Sequence, residues 1–207
     1  KNRQNAERKK RKKEREKEQP EGVAVAGGKL YVANGYESLE NNTFNYDNTI
    51  SVVDIASFTE VEKITVGTNP NYVAVVPNLP NYVAVGYFGN YNTMPSGIAI
   101  INVDNTSSVT LFDNIPISGL TASDVSVYTC GSEVTSYSPY TTEPIFYKVD
   151  LSTMMANQIM SSIGKAIIAP YGININPLNG DILAADAFDY VSEGFLYTFN
   201  SSGQLKG

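Results

Sequence analysis

The sequence predicts an all-β protein, a β-propeller of four recognisable blades, each an antiparallel four-stranded sheet, the last incomplete. Three observations lead there. An apolar strand ends in a landmark residue four times, at Val53-Asp54, Val103-Asp104, Val149-Asp150 and Phe199-Asn200. Spacings of 50, 46 and 50 residues between these landmarks mark repeated supersecondary units. Each repeat holds short runs of β-branched and aromatic residues punctuated by Gly, Pro, Asn and Ser, with no convincing helix. The innermost runs, such as Val23-Ala24-Val25 and Tyr72-Val73-Ala74-Val75, are apolar throughout, as strands covered on both faces should be.

In order along the chain, a basic tail (1–18) precedes blades at about 19–69, 70–120, 121–168 and 169–207. The first blade offers strands at 23–26, 30–35, 50–55 and 61–66; the second at 72–76, 82–87, 98–103 and 109–117. The third offers 124–128, 133–136, 145–149 and 157–163, and the fourth 172–176, 182–187 and 195–199, with no fourth strand. Within a blade the strands run a to d outward. The a–b turns are tight at Gly27-Gly28, 77–80 and 177–180. Asp54, Asp104 and Asp150 open the c–d turns, where a side-chain oxygen can bond the backbone two residues on.

Composition removes several functions. Trp and His are absent and Cys130 is the one cysteine. No intramolecular disulfide, Cys/His zinc site or Ser-His-Asp arrangement can be built. Cys130 ends a strand and reads as a small apolar residue. The net charge of −6 hides two parts: residues 1–21 carry ten Lys/Arg and five Glu, leaving five Lys and sixteen acids for the body. So acidic a body repels phosphate backbones, which argues against nucleic acid as its ligand. The tail lacks an apolar stripe and reads as solvated helix or disorder, with a nucleic-acid or anionic-membrane tail the alternative; it is not a signal peptide, and no stretch spans a bilayer.

The b–c connections (36–49, 88–97, 137–144 and 188–193) are mostly long. In a meander they share one end of the propeller with the d–a links, so the loop length gathers there. Long structured loops in a compact domain are usually functional. They carry Tyr36, Phe44, Tyr46, Phe88, Tyr91, Tyr137, Tyr140, Phe188 and Tyr190, with Asn41, Asn42, Asn45, Asn48, Asn90 and Asn92 beside them. Tyr gives broad contact at little entropic cost and Asn adaptable hydrogen bonding. The mixture suits a large neutral ligand with an amide- or hydroxyl-rich rim: a glycan, a peptide surface or a corrinoid. The same side chains could also simply pack loop against loop. Glu37, Glu40, Asp47, Glu143, Asp186, Asp189 and Glu193 lie on or beside the same end. Paired carboxylates could hydrolyse glycosides or hold a divalent cation. No spacing matches a calcium loop, so no metal site is assigned; Asp186 is the acid to examine first.

Certain segments resemble a known family. Lys29-Leu30-Tyr31-Val32-Ala33-Asn34, Asn48-Thr49-Ile50-Ser51-Val52-Val53-Asp54 and the link Ile64-Thr65-Val66-Gly67-Thr68-Asn69-Pro70 are similar to the YVTN/YncE-type propeller repeat. The run from Ala169 to Ala187, followed by Tyr190-Val191 and Gly194-Phe195-Leu196-Tyr197-Thr198-Phe199-Asn200, resembles the closing blade of seven-bladed YncE-like surface lipoproteins. That group, from Gram-negative gut bacteria, includes the cobalamin-binding BtuG proteins, which cap an outer-membrane transporter. The resemblance covers residues 19–207 and implies the last four blades of a seven-bladed ring. It implies a cell-surface protein, although neither a signal peptide nor a lipid-bearing Cys is recognisable. It further implies non-enzymatic binding with no cofactor, a corrinoid ligand over the funnel, and a transporter partner. Ligand-binding candidates are Tyr36, Phe44, Tyr46, Phe88, Tyr91, Tyr137, Tyr140, Phe188, Tyr190, Asn45, Asn90 and Asp186. A glycan- or protein-interaction propeller is the competing reading, and a metal-dependent hydrolase or lactonase in the funnel a third.

Overall fold

A computed structural model describes residues 18–39, 43–159 and 167–206. The basic tail to residue 17, Glu40, Asn41, Asn42 and the 160–163 end of the expected twelfth strand lie outside these described residues. Among the described residues there is no helix, and every element is a strand. The first sheet is β1 (Glu18–Ala26), β2 (Lys29–Ser38), β3 (Phe44–Asp54) and β4 (Thr59–Thr65), paired in that order. The second is β5 (Pro70–Val76), β6 (Leu79–Tyr87), β7 (Gly97–Asn102) and β8 (Val109–Asp113). The third is β9 (Gly119–Ser123), β10 (Ser126–Tyr137), β11 (Tyr140–Asp150) and β12 (Met155–Ile159). The fourth holds β13 (Pro170–Ile175), β14 (Ile182–Asp186) and β15 (Phe195–Phe199), with Leu205 bridging back to Phe199 where a fourth strand would begin.

All pairings are antiparallel, and the first strands β1, β5, β9 and β13 pack in succession. The sheets therefore fan about one axis as propeller blades, in an open arc among the described residues. Alternation along the second blade explains its unbroken apolar runs. Val83, Val85, Ala99 and Ile101 face the first blade, packing with Tyr31, Ile50 and Val52. Ala84, Ile98 and Ile100 face the third, packing with Val127, Val149 and Leu151. A further core joins Cys130 and Phe146 of the third blade to Ile173, Ile182, Ala184 and Phe199 of the fourth. Among the described residues nothing covers the end faces in this way, and Val23, Val25 and Leu196 are exposed.

Tyr87 fastens the first interface. Its ring is buried, and its hydroxyl donates to Asp113. Gly67 and Gly97 lie so close to it that a Cβ at either would overlap the ring. The c–d turns follow the expected Asp chemistry at two places. Asp54 Oδ1 accepts from the Ser57 N–H and hydroxyl, and Asp150 Oδ1 from those of Ser152. Asn200 does the same with Ser202. In the second blade the acceptor is instead Asn102 Oδ1, which takes the Asp104 N–H at 3.0 Å.

Two expectations are corrected. The third blade's inner strand is β9, not 124–128; Asp124, at φ 53°, turns the chain from β9 into β10. The inner strand lacks a bulky β-branched run because of crowding near the axis. A Cβ on Gly119 would stand 3.0 Å from the Gly172 Cα of the next blade. The b–c connections of the first and third blades are also not long loops. β2 and β3 stay paired out to Ser38–Phe44, and β10 and β11 out to Tyr137–Tyr140. Both form hairpin arms, and a register shift marks where each leaves its blade, at Asn34/Tyr36 and Val134/Ser136. Tyr and Thr on facing strands favour pairing over loop.

Candidate functional site

Tyr91 and Tyr190 are aimed by local hydrogen bonds in their loops. In the second blade, Asn90 Oδ1 accepts the N–H groups of Asn92, Thr93 and Met94 at 3.1, 2.9 and 2.8 Å. Gly89, at φ 70°, approaches the Met94 carbonyl too closely for any Cβ. The Phe88 and Gly89 N–H groups bond back to the carbonyls of Asn69 and Thr68 in the preceding link. Tyr91 leaves this tight turn at φ 57°. The fourth blade repeats the device. Asp189 accepts from Val191 N and Ser192 N at 2.9 and 2.6 Å, and Tyr190 follows it at φ 62°. Those bonds hold the Asp189 carboxyl below its usual range, the Ser192 N–H first among them.

Asp186 lies beneath that loop, 3% exposed. Its Oδ1 accepts from Ala169 N at 2.7 Å and Phe188 N at 3.0 Å, and its Oδ2 from Ile168 N at 3.1 Å. It thus binds the third-to-fourth link to the fourth blade's loop and is turned wholly to backbone. Asp47 is similarly engaged, taking Asn48 N, Thr49 N and the Thr49 hydroxyl. Among the described residues no three His, Cys, Asp or Glu side chains gather as a metal would need.

The aromatics form a chain across the loop end. Tyr36 packs edge-on against Phe44, with centroids 5.1 Å apart, and against Tyr46 at 6.4 Å. Tyr46 meets Tyr91 of the next blade at 6.2 Å, Tyr91 stacks on Phe88 at 6.3 Å, and Phe88 meets Tyr72 at 5.9 Å. Tyr72 anchors the row by donating to the Ser118 carbonyl at 2.8 Å. Further round, Tyr140 packs on Tyr137 and Tyr190 on Tyr171.

A cavity of about 390 Å³ opens among them, lined by Phe88, Tyr91, Ser96, Pro116, Ile117, Ser118, Ser132, Tyr140, Thr142, Ile168, Ala169 and Tyr190. Its walls come from three blades and two d–a links, so the b–c and d–a connections do share one end. None of these residues is charged. Burial and the neighbouring Tyr46 raise the Tyr91 phenol above its ordinary value, which keeps it neutral well into alkaline pH. A second cavity of about 560 Å³ lies on the first blade alone, lined by Tyr36, Asn45, Tyr46 and charged Glu37, Asp47 and Lys63 among others.

Of the sequence candidates, Phe88, Tyr91, Tyr140 and Tyr190 line the three-blade cavity. Tyr137 backs Tyr140, while Tyr36, Tyr46 and Asn45 border the first-blade cavity. Phe188 packs against Phe195 at 5.9 Å, and Asn90 closes its own loop. The hydroxyls of Ser96, Ser118, Ser132 and Thr142, and the link residues Pro116, Ile117, Ile168 and Ala169, were not among the candidates. Their signal was the short apolar step before each inner strand, as in Ile115-Pro116-Ile117-Ser118 and Ile167-Ile168-Ala169-Pro170.

No family model matches the chain, and no curated protein matches it. Solved structures do. Hydrazine synthase of Kuenenia stuttgartiensis superposes with TM-score 0.66 at 14% identity, over 91% of this chain and 48% of that one. The Pan2 WD40 domain of Neurospora crassa gives 0.58 at 13%, over 90% and 52%. A quinonprotein alcohol dehydrogenase-like protein from Bacteroides thetaiotaomicron gives 0.61 at 11%, over 89% and 44%. At such identities the likeness is one of fold, and it supports the propeller. The chain spans about half the length of these structures.

Proposed function

We propose that this propeller is a non-enzymatic binding module that takes a neutral ligand at its loop end. The observation that carries the reading is the cavity bordered by Tyr91, Tyr140 and Tyr190, each from a different blade, with no charged residue in its lining. Aromatic anchors beside a few polar groups are the usual make-up of a small-ligand pocket. Asp186 and Asp189, beside the link and loop that wall it, serve as backbone acceptors instead, which supports binding over hydrolysis.

The family resemblance supplies one candidate, a corrinoid captured at a bacterial cell surface and passed to an outer-membrane transporter. Calorimetric titration with cyanocobalamin tests it. Tight binding weakened by Tyr140→Ala supports a corrinoid at this cavity, and a flat titration removes it. A glycan is the second candidate, favoured by a cavity near the lower end of the roughly 300–1,000 Å³ range of ligand sites. A corrin macrocycle would rest on such an opening rather than enter it. No helix among the described residues is long and apolar enough to cross a membrane.

A further inference from the structure

We infer that the three-blade cavity recognises a neutral saccharide, with sugar faces stacked on Tyr91, Tyr140 and Tyr190 and sugar hydroxyls paired to the Ser/Thr lining. The inference rests on the neutral-ligand reading above and names the ligand class for that site.

Three features of the cavity select this chemistry. The first is the lack of charge. Carboxylate and phosphate ligands are held by charge-assisted, commonly bidentate donors, and ammonium ligands by carboxylates or cation–π faces. A lining that holds no ionised side chain among the described residues favours neither sign.

The second is the pairing of aromatic and hydroxyl groups. Tyr91, Tyr140 and Tyr190 are 73%, 67% and 69% exposed, so their faces are open to a ligand. An aromatic face carries the negative side of a quadrupole and attracts the polarised C–H groups of a sugar ring. Ser118, Ser132 and Thr142 each offer one donor and two acceptor positions, matching the dual character of sugar hydroxyls. A wholly apolar ligand would strip water from those hydroxyls and leave them unpaired.

The third is rigidity. Each exposed Tyr is backed by a second ring: Tyr91 by Phe88, Tyr140 by Tyr137 and Tyr190 by Tyr171. Tyr91 and Tyr190 also hold left-handed backbone angles, a conformation bulky residues adopt only when their surroundings enforce it. The Tyr91 and Tyr190 positions are thus set before a ligand arrives, which lowers the ordering cost of binding there.

The test uses the whole 207-residue chain. Neutral oligosaccharides and uronic-acid counterparts are titrated by calorimetry and followed by saturation-transfer NMR, alongside cyanocobalamin. Tyr140→Ala and Tyr140→Phe are carried through, with circular dichroism to verify folding. The expected result is binding of at least one neutral oligosaccharide, weakened about tenfold or more by Tyr140→Ala, as loss of an anchoring aromatic implies. Tyr140→Phe should bind nearly as well as the parent chain, and added salt should change little. Binding of anionic sugars alone, or sugar binding indifferent to Tyr140→Ala, overturns the inference. Binding of cyanocobalamin but no sugar, lost in Tyr140→Ala, overturns the saccharide assignment and leaves the neutral-ligand site standing. If nothing binds, both readings fall.

Discussion

Replacing Asp186 by Asn should loosen the wall of the cavity and lower stability measurably. The carboxylate is buried and accepts three backbone N–H groups, two on Oδ1 and one on Oδ2. An Asn side chain can retain the Oδ1 pair to Ala169 and Phe188. Its amide nitrogen must then face the Ile168 N–H, donor against donor. One bond to a charged acceptor is lost and a buried donor is left without a partner, a change costing about 1–3 kcal/mol. Asp186→Ala strands all three N–H groups and should cost more, at about 1–3 kcal/mol for each amide that water does not reach. Urea unfolding followed by tyrosine fluorescence provides the measurement. With a slope of about 2 kcal/mol per molar, the Asn variant should move the midpoint down by roughly 0.5–1.5 M at unchanged slope. A midpoint unmoved in both variants would refute the assigned role of Asp186 in joining link to loop.

Other outcomes follow from the same structure. Cys130 is buried between the third and fourth blades, and burial pushes its thiol up to about 12. It should ignore a disulfide reagent at neutral pH and react fully once the chain is unfolded. Tyr87 is raised by burial and then by its bond to Asp113, so spectrophotometric titration should find it protonated until alkali unfolds the fold. Tyr87→Phe keeps the ring and should cost about 0.5–1.5 kcal/mol by thermal unfolding, because the released Asp113 can turn to water. Asp54 and Asp150 are lowered chiefly by the hydroxyls of Ser57 and Ser152. Their folded values lie below the unfolded ones, so the turns' contribution is present above the unfolded carboxylate range and fades as pH falls through the folded values. Carboxyl NMR titration should show Ser57→Ala and Ser152→Ala raising the two midpoints, each in its own turn only.

Much of the scaffold could be read from the chain because both faces of the middle strands β6 and β7 are covered by neighbouring blades. That geometry demands unbroken apolar runs, and Tyr82-Val83-Ala84-Val85 and Gly97-Ile98-Ala99-Ile100-Ile101 carry them plainly. The inner strand of the third blade is harder to read, because it carries Gly119-Leu120-Thr121-Ala122-Ser123 in place of a valine run. Without bulky residues the stretch looks like a link, and the strand after it reads as the first. The hairpin arms read as loops in the sequence because their polar, tyrosine-bearing strands leave the apolar body and lose its signature. At the site, the exposed tyrosines were visible as an excess of aromatics between strands. The hydroxyl lining was not, since Ser96, Ser118 and Ser132 are far apart in sequence and meet only through blade packing. Asp186 stood out as an acid after an apolar strand, but its burial against three amides has no trace in the letters.

The row of backing rings has a further consequence. Tyr46 reaches from the first blade to Tyr91 of the second, while Tyr91, Tyr140 and Tyr190 stand on three successive blades. Each blade packs mainly on its immediate neighbours, as in other repeat proteins. The spacing of the three gripping surfaces is therefore set by how the sheets lean on one another, not by any one loop. A ligand bridging them acts as a strap across two seams of the arc, and occupancy resists splaying of the final blade by mass action. Amide exchange in β13–β15 would report that bracing far from the bound molecule itself.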